Sequence, residues 1–134
     1  MTSLSSESHH ADRKSLRKVA GPTADFSELA RDCVCFANGA GGALFIGIED
    51  DEDAPPPEQR IEPGLIDRIR KRVGENTVNV QILPELRRHE NGGEYIVLTI
   101  PRSVGVASTS DGRYFLRVGD TWRKYRVAPK GQSP

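Results

Sequence analysis

At 134 residues, 36% hydrophobic and 28% charged, the chain is long enough for one domain with one core and too polar to be packed throughout. Its 19 basic and 19 acidic residues cancel, which excludes a protein coated evenly in positive charge. No apolar run approaches the roughly 18 residues of a membrane helix and no apolar signal segment opens the chain, so a cytoplasmic protein with no membrane partner is expected.

Charge is distributed unevenly. Residues 25–61 hold 9 acids against 2 bases, and residues 102–134 hold 7 bases against 2 acids. One molecule is therefore expected to carry an acidic site and a basic flank, and only the flank attracts phosphate.

In chain order, Met1 to Ser6 is serine-rich and reads as a disordered N-terminus. Glu7 to Lys14 is polar without strand-like alternation, and on physics alone it is a loop. Gly21-Pro22 marks a turn, and Asp25 with Glu28 forms a capping box for a helix. Phe26, Leu29, Ala30, Cys33, Val34 and Ala37 give that helix one buried face. Cys33 and Cys35 point to different sides of it, which rules out a disulfide between them and suits a reducing compartment.

Asn38 and Gly39 are expected to end the helix, and Gly41-Gly42 to turn the chain sharply into the next element. Ala43 to Ile48 contains no polar residue and fits a central strand covered on both faces. It delivers an acidic run, Glu49 to Asp53, of which Asp51 to Asp53 read as a solvated loop. Three prolines, Pro55 to Pro57, keep residues 51–60 out of regular structure.

Pro63 starts a second helix with Leu65, Ile66, Ile69 and Val73 inward; Arg68, Arg70, Lys71 and Arg72 lie outward, and Gly74 closes it. Val78, Val80 and Ile82 alternate, Asn91-Gly92-Gly93 signals a hairpin, and Tyr95 to Ile100 is an apolar strand. Asp111-Gly112 is a second turn signal before a strand from Arg113 to Val118, in which Tyr114 is assigned to the core. The order predicts an α+β fold: a mixed, mostly antiparallel sheet with two helices packed on it. The expected core is Leu29, Val34, Phe36, Leu44, Ile46, Ile48, Ile66, Ile69, Val97 and Leu98.

Several chemistries have no motif. There is no G-x-x-x-x-G-K-[ST], and the Gly39–Gly42 cluster follows a helix and precedes a strand, the reverse of a dinucleotide site. His9-His10 are adjacent, His89 falls in a predicted strand, and no C-x-x-C exists to hold zinc. The basic flank is more informative. Arg102, Arg113, Arg117, Arg123, Lys124 and Arg126 interleave with Tyr114, Trp122 and Tyr125, a pattern suited to neutralising a phosphate backbone and stacking bases. The competing reading is a solvated sheet face.

The run FAN-x-x-GG-x-L-x-I-G-I-x-D, from Phe36 to Asp50, resembles the signature of the Schlafen-type AlbA-like domain. Two further landmarks agree. Glu7, Ser8, Asp12 and Lys14 match an opening strand E-S-x-x-x-E-F-K, with Asp12 for the second glutamate, Arg13 for an apolar residue and Ala11 for a larger one. Asp111, Gly112, Tyr114, Arg117, Val118 and Gly119 match D-G-x-Y-x-x-R-V-G. The resemblance implies a domain over 7–126, flanked by 1–6 and a flexible tail at 127–134.

It also implies DNA or RNA as partner, with Lys14 joining the six basic residues above. The setting it implies is one module of a longer regulator of transcription or helicase-related protein; a homodimer is the other assembly expected. An alternative it implies is a nuclease with Glu7, Asp12 and Glu49 or Asp50 as catalytic carboxylates, in which Glu7, Asp12 and Asp50 hold Mg2+ or Mn2+. A third reading is a protein interaction module. Glu7 and Asp12 are an odd number of residues apart, so sharing one site requires an irregularity between Ser8 and Ala11.

Overall fold

The computed structural model describes residues 11–117 and 124–127. The strands and helices are β1 (Ala11–Lys14), α1 (Phe26–Asn38), β2 (Gly42–Ile46), α2 (Leu65–Asn76), β3 (Thr77–Val78), β4 (Leu83–Arg88), β5 (Glu94–Ile100), β6 (Ser108–Thr109), β7 (Tyr114–Arg117) and β8 (Lys124–Val127). A four-stranded sheet runs β1-β2-β5-β4, with β1 parallel to β2 and the other pairs antiparallel. Two small sheets, β3-β6 and β7-β8, complete an α+β fold. The mixed sheet and two helices are as expected. Among the described residues no helix is long and apolar enough to cross a membrane.

Helix α1 is the centre of the core. Asp25 caps it by accepting a hydrogen bond from the Glu28 amide at 3.0 Å. Only that half of the capping box forms, because the Glu28 carboxylate turns to Lys14 and Lys18 instead. Burial extends beyond the single expected face: Asp32, Cys35 and Phe36 are buried along with Leu29, Cys33 and Val34. The four-stranded sheet, α2 and β7 all pack around the helix, which explains why so few of its positions reach solvent. Neither cysteine forms a disulfide, and burial pushes the Cys33 thiol far above its ordinary range.

At the end of α1, Gly41 makes the turn. Its φ is +82°, and an added Cβ would lie 2.9 Å from the Ile100 carbonyl oxygen and 3.0 Å from the Arg102 nitrogen. Strand β2 stops at Ile46 rather than Ile48, because Gly47 turns at φ +109° and its carbonyl accepts from the Gln59 side chain at 2.9 Å. Its two faces also differ. Leu44 and Ile46 are buried under α1, while Ala43 and Phe45 are only partly covered beside Ile48, Tyr95 and Val97.

Other boundaries moved for local reasons. Helix α2 begins at Leu65 and runs through Gly74 to Asn76. Alternation at Val78, Val80 and Ile82 does not make one strand, since Asn79 adopts φ +64° and breaks it after Val78. The hairpin partner of β5 is therefore β4, and His89 sits in its turn, accepting from the Asn91 amide. Of the expected core, nine residues are buried and Ile66 is partly buried against them. Phe115, not Tyr114, is the aromatic buried from β7.

Candidate functional site

Parallel pairing of β1 with β2 puts the carboxyl ends of both strands at one rim, so residues 15–21 and the acidic run share it. Register places Asp12 opposite Leu44 and Lys14 opposite Ile46, on the face that α1 covers. Lys14 is the hub of this rim. Its ammonium lies 2.7 Å from Glu28 and 2.7 Å from Asp32, carboxylates one helical turn apart on α1. The Lys14 side chain is 9% exposed and that of Asp32 1%. Lys18 reaches the other Glu28 oxygen at 3.3 Å.

Burial works against the charge on Lys14, but Asp32 and Glu28 overcome it and hold the ammonium above its usual range. Glu28 shows the reciprocal effect: burial opposes ionisation, and hydrogen bonds from Lys14 and Lys18 bring its carboxyl below the usual range. Lys14 is thus directed inward as a counter-ion. Both of its anionic partners belong to this chain.

Asp12 behaves differently. Burial pushes its carboxyl up, the Arg13 amide that it accepts at 2.8 Å opposes this, and Asp32 and Asp50 push it further up. Glu49 and Asp50 sit at the mouth of the rim, where Arg17 meets Glu49 at 3.6 Å across a shallow 390 Å3 recess. Arg13 crosses to the acidic run, donating to the Asp50 carbonyl and the Asp53 carboxylate, each at 3.3 Å. The run that reads as a solvated loop is therefore tied to β1 at Asp53, while Asp51 and Glu52 stay exposed.

Asp32 and Asp50 are close enough to disfavour the charge on Asp12, yet among the described residues no three acids, histidines or cysteines converge to hold a metal. Glu7, the expected irregularity before Ala11 and the His9-His10 pair lie outside the described residues. Sequence reading missed Asp32 and the role of Glu28. Their signal is a buried-face position occupied by an acid, four residues after another acid, behind a strand that carries a lysine.

The basic flank divides into two parts. Arg102 is exposed beside a 300 Å3 recess formed with Asn79, Gln81 and Ser103. Arg113 is held by Asp111 at 2.9 Å and lies 5.7 Å from the Phe115 ring. In the β7-β8 hairpin, Arg117 is opposite Lys124 and Phe115 opposite Arg126. Arg123 and Trp122 lie outside the described residues. Asn38 joins this flank to α1: its amide donates to the carbonyls of Ala107 and Phe115 at 2.9 and 3.1 Å, and its carbonyl accepts from the Ala107 amide at 2.8 Å. The asparagine read as a helix terminator is thus also a clamp.

With this geometry in place, comparison with known proteins adds three findings. A family model described as Schlafen, AlbA_2 matches residues 7–126. No curated protein matches the chain. Among solved structures, the crystal structure of the DIP2311 protein from Corynebacterium diphtheriae is similar with a TM-score of 0.61 and 23% identity, over 87% of this chain. The chain spans 26% of the length of that protein, and the likeness is one of fold.

Proposed function

The chain belongs to the Schlafen AlbA_2 family, and we propose that it is a nucleic-acid-binding domain whose binding surface is the basic flank. The observation that carries this reading is the β7-β8 register, which sets Arg117 opposite Lys124 and places Arg126 two residues further along the same strand. A two-stranded ribbon with cations at facing positions suits a phosphate backbone, while Arg13, Arg17 and Lys14 are engaged by acids of the opposite rim. A cytoplasmic setting, as one module of a longer regulator, agrees with two buried cysteines that form no disulfide.

Fluorescence anisotropy on single- and double-stranded DNA and RNA across a salt series tests the proposal. Reversing charge at both Arg117 and Lys124 should weaken binding to every sequence alike and flatten the salt slope by about one for each phosphate no longer neutralised. Unchanged affinity at low salt would remove the hairpin from the interface.

One observation favours a second reading, a nuclease using Glu7, Asp12 and Glu49 or Asp50. Asp12 is held in the charge-disfavouring company of Asp32 and Asp50, a condition that a bound cation relieves. The described carboxylates do not by themselves make a metal site, so in this reading Glu7 completes the set with Asp12 and Asp50 around Mg2+ or Mn2+. Cleavage of labelled RNA or DNA that requires Mn2+ and is lost in Asp12→Asn would support it; Mn2+-independent or absent cleavage would leave binding alone.

A further inference from the structure

Among the described residues, strand β4 is an edge of the four-stranded sheet, with one side of its backbone turned away from β5. The His89 amide donates to the Gly93 carbonyl at 2.8 Å, and this bond sets the phase of the hairpin. With the β4-β5 register, Arg87, Glu85 and Leu83 then face β5 with their backbone groups. Arg88, Leu86 and Pro84 direct theirs outward. Pro84 therefore lacks an N–H only on the outer side, where β5 does not need it.

Only registers that bring outward residues face to face can bond across a two-fold axis. A register one step either way from the Leu86 axis sets Glu85 against Glu85 of the second copy, or Arg87 against Arg87. With Leu86 on the axis, Glu85 faces Arg87 of the second copy and Arg87 faces its Glu85. These are non-hydrogen-bonded positions, where side chains approach most closely. Leu86, 47% exposed in the single chain, then meets its own copy, and Pro84 still offers a carbonyl to the Arg88 amide opposite. Glu85 and Arg87 already hold each other at 3.0 Å on one face of β4, so both charges are ordered before a partner arrives.

We propose that β4 pairs antiparallel with β4 of a second copy about an axis at Leu86, joining two four-stranded sheets into one of eight strands. The interface is isologous and closes at a dimer. It stands apart from the nucleic-acid reading, since it uses neither the β7-β8 hairpin nor the acidic rim.

Sedimentation velocity on the whole chain over a micromolar concentration series tests this. The wild type should associate reversibly to a dimer. Glu85→Arg and Arg87→Glu should each raise the dimer dissociation constant by about tenfold or more, because each replaces two attractive pairs by two repulsive ones. The double variant E85R/R87E should restore dimerisation, which a variant acting by misfolding would not do. Leu86→Pro should give a monomer that still unfolds cooperatively, at a melting temperature that no longer depends on protein concentration, because the N–H it removes points away from β5. A wild type that stays monomeric at high micromolar concentration, or dimers indifferent to all four variants, would overturn the proposal.

Discussion

Helix α1 is fastened at both ends, by different chemistry. Near its N-terminal end Glu28 and Asp32 grip Lys14 of β1 through ion pairs; at its C-terminal end Asn38 grips the backbone of Ala107 and Phe115 through neutral hydrogen bonds. The neutral clamp satisfies three backbone groups with one amide and has no charge to lose. The ionic grip buries a cation between two anions and leaves a further acid, Asp12, whose charge is disfavoured. The contrast is between an end of the helix built on charge and an end built on neutral hydrogen bonds, and the two should answer differently to pH and to substitution.

The largest expected effect breaks the ionic end. Lys14→Met leaves Asp32 buried beside an apolar side chain and should cost about 3–5 kcal/mol, read from urea or thermal unfolding. The contribution of the grip also has a defined pH window. Glu28, lowered in the folded state, stabilises above the ordinary value of 4.5, and this is lost as pH falls through its depressed folded value. Lys14, raised, stabilises below the ordinary value of 10.5, and this is lost as pH climbs through its raised folded value.

Breaking the neutral end comes next. Asn38→Ala removes three hydrogen bonds to half-buried backbone groups and should cost about 2–4 kcal/mol. Between pH 5 and 9 that loss should be flat. A cost that followed pH as the Lys14 variant does would end the distinction between the two fastenings.

A smaller loss is expected just beyond the clamp. Gly41→Val combines a left-handed backbone with a Cβ pressed on residues 100 and 102, and melting should show about 1–3 kcal/mol of strain. Smallest, and of opposite sign, is Asp12→Asn. Because the folded carboxyl titrates above its ordinary value of 3.8, its ionisation destabilises the fold progressively as pH rises through the folded value. The variant should be more stable than the wild type at pH 7 by about 1 kcal/mol or less, with no gain at pH 3. Equal melting temperatures at pH 7 would mean that the surplus charge is harmless.

The sequence made the elements legible wherever one local signal sufficed. Periodicity located α1, the apolar run located β2, and Asn91-Gly92-Gly93 located the β4-β5 turn. Failures have a common cause in contacts between distant segments. Nothing local to α1 says that Asp32 is buried, because its partner lies on a strand that is too polar to be read as one without the family resemblance. Tyr114 and Phe115 are adjacent aromatics, and the packing of β7 on α1 decides that Phe115 is inward. At the candidate site, Asp12 and Asp50 came from motif positions, whereas the inward turn of Lys14 is a tertiary effect.

Asn38 bonds to residues 69 and 77 positions further along the chain. The β4-β5 hairpin, by contrast, closes on a three-residue turn, and loop-closure entropy makes it by far the easier pairing to form early. During synthesis, then, α1 is complete while the segments that cover its C-terminal end have not yet been made. Its apolar flank must wait for roughly 4–15 seconds at ordinary elongation rates before the clamp has both partners to hold. The same asparagine that is indifferent to pH in the finished domain makes bonds that the growing chain can acquire only late.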